Sequence, residues 1–254
     1  MIYRQIQTEP TFKDFAVKNI EQIEWLYSTL GDEKSRETFK GFLAGRVTAD
    51  YHCYDRIFVG ESYFVDDIIT LGAEEAFVDC GAYIGDTIED FIKKVISYQR
   101  IYAFEPDAVN REILYHYIRE HDLLNIEVDG RAVWNESATL TFDTTEDTLS
   151  RVSSGGKISV PAVPLDLAVT GRITYIKMDI EGAEYEALEG ARSIITRYRP
   201  KLAICVYHKY QDVIRVPKLI DSMVPGGYRF YLRHHAPYGA ELILYAIPVE
   251  LSAQ

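Results

Sequence analysis

One short stretch restricts the fold more than any other part of this chain. Residues 77–87 read Phe-Val-Asp-Cys-Gly-Ala-Tyr-Ile-Gly-Asp-Thr: an apolar strand that ends in an acid, turns on Gly81 and Gly85, and opens into a helix. Glycine lets the backbone approach a ligand closely, and the N-terminus of a helix presents free amide groups. This order of strand, turn and helix therefore predicts an α/β domain that binds a nucleotide-type ligand.

After position 72, strand-like and helical patterns alternate along the chain. Apolar strands that are joined by helices predict a mostly parallel sheet with helices on both faces, because the crossovers between parallel strands are right-handed. The ligand of such a sheet lies beyond the carboxyl ends of the strands. The predicted strands are 76–79, 101–104, 126–128, 173–178, 202–207, 228–232 and 242–246, and the predicted helical segments are 88–96, 113–118 and 187–195.

Residues 1–72 have a different pattern, which is typical of amphipathic helices. Apolar residues recur at steps of three and four up to Leu30, Gly31 is a typical helix stop, and Asp32 is a typical N-cap of a second helix. We interpret this region as a helical accessory layer that covers one edge of a main domain at 73–254. A lid over the site, or a surface that pairs two subunits in a dimer, is the alternative.

Charge and cysteine content exclude several classes of function. The chain carries 39 acidic and 27 basic residues, a net charge of −12, and an acidic chain without basic runs repels a phosphate backbone. Its three separated cysteines fit neither a disulfide scaffold nor a zinc cluster, and they suit a reducing compartment. No apolar stretch has the length of a signal peptide core or a membrane span. We therefore expect a soluble cytoplasmic protein that binds neither nucleic acid nor membranes.

The glycine spacing and the next strand end restrict the ligand. Between Gly81 and Gly85 the middle glycine of the dinucleotide fingerprint is missing, so a ligand without a pyrophosphate fits better. Glu105 ends the following strand, just before Pro106, where a carboxylate can accept hydrogen bonds from both hydroxyls of a ribose. Residues 129–131, Asp-Gly-Arg, would lie at the adenine edge, although a β-turn explains them equally well.

A cluster of acids follows the strand at 173–178. Asp179, Glu181 and Glu184 are brought to one strand end, and their mutual repulsion is costly unless a positive group or a hydrogen-bond donor lies among them. We interpret these acids as site residues. For Glu184, compensation of the helix dipole is the alternative.

Together, these three motifs resemble the FkbM-type S-adenosylmethionine-dependent methyltransferases. The resemblance extends from about Ala76 to Ile247, and Lys-x-Asp-x-Glu-Gly-Ala-Glu at 177–184 is its most specific part. It implies a Rossmann-like seven-stranded sheet with an antiparallel last strand. It also implies transfer of a methyl group from S-adenosylmethionine to a hydroxyl of a sugar or another small, natural-product-like metabolite, with S-adenosylhomocysteine as the product.

The resemblance also implies roles for individual residues. Asp79, Gly81 and Gly85 would cradle the methionine part of the cofactor, Glu105 would bind the ribose, and Asp179 would lie near the amino group or the transferring methyl. The predicted cofactor-binding set is Asp79, Cys80, Gly81, Ala82, Tyr83, Gly85, Asp86, Thr87, Glu105, Pro106, Gly130, Arg131 and Asp179.

A hydroxyl acceptor has to lose its proton, and three histidines follow predicted parallel strands. His208, His234 and His235 are expected at one rim, and histidine can take a proton near neutral pH. We predict that His208 is the general base, with Asp179 as the competing candidate. A divalent cation on Asp179 and Glu181 is a variant mechanism, but nothing in the sequence completes such a site and we predict no metal.

The acceptor site is expected at a polar insertion. Residues 144–156 lie between two β-rich arms and end in two glycines, and polar side chains beside flexible glycines can close on a polyhydroxyl ligand. A solvated hairpin loop is the alternative. The predicted substrate-binding residues are Ser150, Arg151, Ser153, Glu181, His234 and His235.

Two other functions stay open at this point. A nicotinamide-dependent oxidoreductase would use the same class of fold, although the missing middle glycine disfavours it. A cofactor-binding protein without catalysis could act as an interaction module through its N-terminal helices.

Overall fold

The computed structural model describes residues 12–60, 62–143, 151–152 and 158–251. Its strands, in chain order, are β1 (Glu75–Cys80), β2 (Tyr98–Phe104), β3 (Ile126–Asp129), β4 (Ala132–Val133), β5 (Ala138–Asp143), β6 (Arg151–Val152), β7 (Ile158–Val163), β8 (Tyr175–Met178), β9 (Lys201–Cys205), β10 (Tyr228–His234) and β11 (Leu242–Pro248). Its helices are α1 (Phe12–Lys18), α2 (Ile20–Thr29), α3 (Glu33–Thr48), α4 (His52–Asp55), α5 (Asp86–Lys94), α6 (Ala108–Glu120), α7 (Leu165–Ala168), α8 (Glu184–Glu189), α9 (Arg192–Tyr198) and α10 (Asp212–Met223), and a 3-10 turn follows β11 at Val249–Leu251.

The centre of the fold is a seven-stranded sheet with the order β10-β11-β9-β8-β1-β2-β3. The strands are parallel except β11, which is antiparallel to both β10 and β9. Every strand that the sequence predicts is present in this sheet. The predicted fold class, including the antiparallel last strand, is therefore confirmed.

Side chains of β1 alternate between two apolar layers. Val78 and Cys80 face the layer that contains α8, α9 and α10, whereas Phe77 packs against Phe91 of α5 and against Phe64 of the segment that precedes β1. Helices cover both faces of the sheet. This burial explains why its strands read as nearly continuous apolar runs.

A second, smaller sheet has the order β4-β7-β5-β6. Strands β5 and β7 are the two β-rich arms that the sequence indicates, and they pair antiparallel from Ala138 opposite Ala162 to Phe142 opposite Ile158. Phe142 and Val160 belong to a small apolar cluster of their own. This sheet therefore presents an apolar face beside the carboxyl ends of the main strands.

Helix α3 of the N-terminal region packs against β10, the edge strand of the main sheet. Asp32 caps α3 by accepting a hydrogen bond from the Ser35 amide at 2.6 Å. The predicted first helix is divided into α1 and α2 at Asn19, whose side-chain amide donates to the carbonyl of Phe15. In the described part of the chain, no helix is both long enough and apolar enough to cross a membrane.

Two helices differ from the sequence-based expectation. The segment predicted at 187–195 forms two helices, α8 and α9, with Gly190 between them. A Cβ at Gly190 would overlap the carbonyl oxygen of Trp134, so this close approach requires glycine. Helix α10 is absent from the prediction, since Pro217 lies inside it and proline removes one helical hydrogen bond.

A buried cation links the N-terminal region to the sheet. Arg233 of β10 is fully buried, and its Nη2 lies 2.6 Å from Asp32 Oδ2 and 3.0 Å from Asp67 Oδ2. Its Nη1 donates to the hydroxyl of Ser35 at 2.8 Å. Arg233 thus holds the start of α3 and the segment before β1 on the same strand.

Arg233→Met should lower the free energy of unfolding by about 3 kcal/mol, because Asp32 and Asp67 lose their shared buried donor. Urea denaturation measures this loss. The matched control is Arg199→Met, whose pair with Glu250 is half exposed and should contribute less than about 1 kcal/mol. Equal losses of stability in the two variants would show that the ion pairs of buried Arg233 contribute no more than the exposed pair of Arg199.

Candidate functional site

A cavity of about 910 Å³ lies at the carboxyl ends of β1, β2, β3 and β8. Its volume is that of a small-molecule site, and its position is the one that a parallel sheet predicts. The second sheet forms an apolar wall with Leu140, Phe142 and Val160. Of the predicted cofactor and substrate residues, those that line the cavity are Gly81, Tyr83, Asp86, Thr87, Glu105, Pro106, Gly130, Arg131, Asp179 and Glu181.

The glycine turn brings the ends of two strands into close contact. Gly81 has φ +81°, and a Cβ at this position would overlap the carbonyl oxygen of Asp179, which follows β8. Gly85 has φ +98° and is the N-cap of α5, where a Cβ would lie 2.9 Å from Leu114. Tyr83, between the two glycines, also has a positive φ of +47° and lines the cavity. The turn therefore needs glycine for both backbone conformation and space.

Asp79 lies beneath this turn and does not line the cavity. It is fully buried, and its Oδ1 is 2.9 Å from Nζ of Lys177, which also donates to the carbonyl of Gly81 at 2.7 Å. Burial raises the pKa of Asp79 to about 6, against the effect of Lys177. Burial would lower the pKa of Lys177, but Asp79 and Asp179 outweigh it, so the pKa is raised and the ammonium stays charged.

The structure thus places Asp79 behind the turn and not at the cavity wall, and its role in binding the cofactor stays a prediction. The residue that reaches the cavity is Lys177, which the sequence-based prediction omits. A lysine in the middle of a strand that is otherwise apolar is the signal that could have identified it. Cys80, Ala82 and Gly85 likewise shape the turn without lining the cavity.

Glu105 is held by the backbone on both of its carboxylate oxygens. The amide of Tyr83 donates to Oε2 at 2.9 Å, and the amide of Asp107 donates to Oε1 at 2.8 Å. Burial raises the pKa of Glu105, although the two amides oppose this effect. Each oxygen retains a second acceptor position, so the oriented carboxylate can still receive two ligand hydroxyls.

Arginines close the end of the cavity beyond β3. Arg131 Nε lies 3.0 Å from both carboxylate oxygens of Asp129. Arg111 donates to the carbonyls of Glu105 and Pro106, and its guanidinium would lie 2.9 Å from a Cβ on Gly130. Gly130 therefore gives Arg111 the space to close this end, a role that the sequence alone does not indicate.

At the other end of the cavity, Asp179 and Glu181 surround one nitrogen of His208. His208 Nε2 lies 3.5 Å from Asp179 Oδ1 and 3.6 Å from Glu181 Oε2. Asp179 Oδ2 accepts a hydrogen bond from the hydroxyl of Tyr63 at 2.8 Å. Burial would raise the pKa of Asp179, but Lys177, His208 and Tyr63 together hold it below its usual value. Asp179 is therefore an oriented, charged carboxylate at the cavity wall.

The second nitrogen of His208 is held by Glu184. Its Nδ1 lies 2.9 Å from Glu184 Oε1, which also accepts from the amides of Ile180 and Gly182. Burial would lower the pKa of His208, but Glu184, Asp179 and Glu181 outweigh it and raise this pKa. His208 itself does not line the cavity, because Asp179 and Glu181 lie in front of it.

The structure does not bring the other two histidines to this rim. His234 and His235 are buried, and burial lowers the pKa of each ring to about 4. His234 stacks on Tyr54, and His235 contacts the carbonyl of Val59. Because β11 and β9 lie between β10 and β8, the strand spacing separates β10 from the site by roughly 14 Å.

The predicted acceptor loop cannot be compared in the same way. Ser150 and Ser153 lie outside the described residues, and Arg151 belongs to β6 with only its backbone described. Their substrate-binding role stays a prediction.

Among the described residues, one group could hold a metal ion. Asp179, Glu184 and His208 place one ligand atom each within 4.8 Å of one another. The sequence suggests Asp179 and Glu181 as metal ligands. The group in the structure contains Glu184 instead of Glu181, and His208 is its third member. The metal-assisted mechanism stays an alternative.

Comparisons with known proteins agree with the family resemblance that the sequence motifs indicate. The family model described as "Methyltransferase FkbM domain" matches residues 79–230. The structure of methyltransferase FkbM from Methylobacillus flagellatus KT is similar, with 29% identity and a TM-score of 0.81 over 93% of this chain, which spans 60% of the length of that chain. A search of the curated proteins found no match.

Two further structures match this chain more weakly. An rRNA methylase from Streptococcus thermophilus has 15% identity and a TM-score of 0.47, over 70% of this chain and 88% of that one. Aeropyrum pernix fibrillarin with natively bound S-adenosyl-L-methionine has 14% identity and a TM-score of 0.43, over 71% and 70% of the two chains. At these values neither carries an argument about function.

Gly81→Ala should destabilise the fold by about 3 kcal/mol, because the new Cβ overlaps backbone and the left-handed conformation disfavours alanine. The control is Gly171→Ala, since Gly171 has φ +84° but nothing within 4 Å of a Cβ. That variant should lose only about 1 kcal/mol. Chemical denaturation compares them, and equal losses would mean that the contact of Gly81 with Asp179 is not a packing constraint.

Proposed function

The chain belongs to the FkbM family of methyltransferases, and we propose that it transfers the methyl group of S-adenosylmethionine to a hydroxyl of a sugar or another small metabolite. The observation that carries the proposal is one cavity lined by the glycine turn, Glu105 and Asp179 together. A nicotinamide dinucleotide would need a cradle for its pyrophosphate, and the turn lacks the middle glycine for it.

The charges along the cavity suit the parts of this cofactor. Lys177 of β8 and Asp179, which follows β8, both line the cavity, so a cation and an anion lie together where the zwitterionic methionine end would bind. Glu105 would accept the ribose hydroxyls, and Gly130 with Arg131 would border the adenine. The apolar face of the second sheet would cover the base.

The reaction is an in-line displacement at a carbon that a sulfonium already activates. The acceptor oxygen forms a bond to the methyl carbon while the carbon–sulfur bond breaks, and its electron pair stays on sulfur as the neutral thioether of S-adenosylhomocysteine. The protein mainly aligns the two reactants and excludes water. The remaining requirement is an acceptor for the hydroxyl proton.

His208 is our candidate for that acceptor, and Glu184 supports the role. Glu184 accepts a hydrogen bond from Nδ1–H of His208, so Nε2 is the nitrogen that can take a proton, and it faces Asp179 and Glu181. Because Nε2 is behind these carboxylates, the proton would pass to it along Asp179. This arrangement gives both predicted catalytic residues a part in one transfer.

The acceptor side of the cavity is acidic. Glu181 and Asp179 line it, and both side chains remain about one quarter exposed. Carboxylates repel an anionic acceptor and accept hydrogen bonds from hydroxyls, which supports a neutral polyhydroxyl metabolite. The buried free thiols of Cys80 and Cys205 suit the reducing cytoplasm in which we propose that the protein works.

Isothermal calorimetry on the purified chain tests the cofactor. We expect S-adenosylmethionine and S-adenosylhomocysteine to bind, NAD not to bind, and Glu105→Ala to weaken S-adenosylhomocysteine at least tenfold, since two hydrogen bonds to a charged group are lost. The control is Glu112→Ala on the outer face of α6. Binding of NAD alone would overturn the proposal, and cofactor binding without transfer to any acceptor would favour an interaction module.

The pH dependence of methyl transfer tests His208, once a screen of hydroxyl-bearing metabolites yields an acceptor. A base with a raised pKa is active only when deprotonated, so the rate should rise with pH through a midpoint above 6.5. Glu184→Gln should move this midpoint to lower pH, and His208→Ala should lower the rate by about 10²- to 10⁴-fold. His116→Ala, on the surface of α6, is the control. Near-normal turnover of His208→Ala would exclude His208 as the base.

A further inference from the structure

Tyr63 lines the cavity although it precedes the segment that the family model matches. Its hydroxyl donates to Asp179 Oδ2 at 2.8 Å, and the Lys177 ammonium lies 5.1 Å from the centre of its ring. The Tyr63 side chain therefore contacts both the Lys177 ammonium and the Asp179 carboxylate at the end of β8. A hydrogen bond to a carboxylate and a cation–π contact in a desolvated position are among the stronger interactions that a neutral side chain makes with a charged one.

The backbone of Tyr63 is held in an unfavourable conformation. Its φ is +59°, which is a rare value for a residue with a large side chain. The amide of Tyr63 donates to the hydroxyl of Tyr245 at 3.1 Å, and its carbonyl accepts from the hydroxyl of Tyr175. Two buried tyrosines of the sheet thus fix this one residue. Strain that the surroundings maintain in this way is typical of functional sites.

The neighbours of Tyr63 anchor the segment from both sides. Phe64 is buried among Phe77, Phe91 and Tyr175, and on the other side the amide of Val59 donates to the carbonyl of His234. Tyr63 lies between these two anchors in the chain and lines the cavity. Tyr63 is delivered to the cavity from a fixed support.

We propose that Tyr63 is a positioning residue of the cofactor site, which fixes the Lys177 ammonium and the Asp179 carboxylate at the separation that binds the zwitterionic methionine end. The inference rests on the proposed function, since it assumes that this end of the cavity takes the methionine part. It adds a residue from the N-terminal region to a site otherwise built from the main domain.

If Tyr63 only packed, its ring would be sufficient. The hydroxyl therefore distinguishes a packing role from a positioning role. Tyr63→Phe keeps the ring and the packing but removes the donor to Asp179. Asp179 is also faced by Lys177, His208, Glu181, Tyr207, Cys205 and Glu241, which are unchanged in this variant. A difference between the variant and the wild type therefore reports on the hydroxyl.

The test is calorimetric titration of the full chain with S-adenosylhomocysteine and, separately, with adenosine, which lacks the amino-acid end. Tyr63→Phe should weaken binding of S-adenosylhomocysteine about tenfold, because the Asp179 carboxylate is no longer held in its binding orientation before the ligand arrives. Adenosine should bind Tyr63→Phe as it binds the wild type, since it does not reach this pair of charges. Tyr63→Leu should bind S-adenosylhomocysteine more weakly still. Tyr238→Phe, at an exposed position, should match the wild type.

The outcomes distinguish a wrong role for Tyr63 from a wrong cofactor. If the wild type binds S-adenosylhomocysteine and Tyr63→Phe binds it with the same affinity, or loses adenosine to the same extent, the role of Tyr63 is refuted and the proposed function stands. A lower melting temperature with unchanged affinity has the same meaning. If the wild type binds NAD and not S-adenosylhomocysteine, the proposed function fails and the assignment of Tyr63 fails with it.

Discussion

The ion pair between Asp79 and Lys177 is the constraint on which the site depends. Both side chains are buried, and removing two charges from water costs several kcal/mol for each ion, which is compensated only when the pair is well formed. The two residues are direct partners in the register of β1 and β8. A shift of either strand by one position would leave a charge unpaired in the core, so the pair favours a single register.

That register determines what lies above it. Lys177 also binds the carbonyl of Gly81, and Gly81 lies against the backbone of Asp179, so the glycine turn and the acidic cluster are fixed by the same cation. The cavity therefore has a rigid floor at its charged end. Preorganised charges of this kind need little rearrangement when a ligand binds or a reaction proceeds.

The sequence predicts the parts of the site that local pattern determines. The glycine turn, Glu105 and Asp179 are identifiable because each follows an apolar strand, and strand ends meet at one edge of a parallel sheet. The position of His234 depends instead on the order of strands, which places β11 and β9 between it and the site. The contact of Tyr63 with Asp179 could not be predicted either, because a local sequence pattern does not indicate contacts between residues more than one hundred positions apart.

The N-terminal region is more than a cover for the edge of the sheet, because the same contacts that attach it also support the cavity. Arg233 binds Asp67, and Asp67 lies four residues after Tyr63 in the segment that the sheet tyrosines hold. The positive φ of Tyr63 is maintained only while those anchors are in place. Weakening the attachment of this segment would therefore first release Tyr63 from Asp179, and the effect would reach the charged end of the cavity before the sheet itself loses stability.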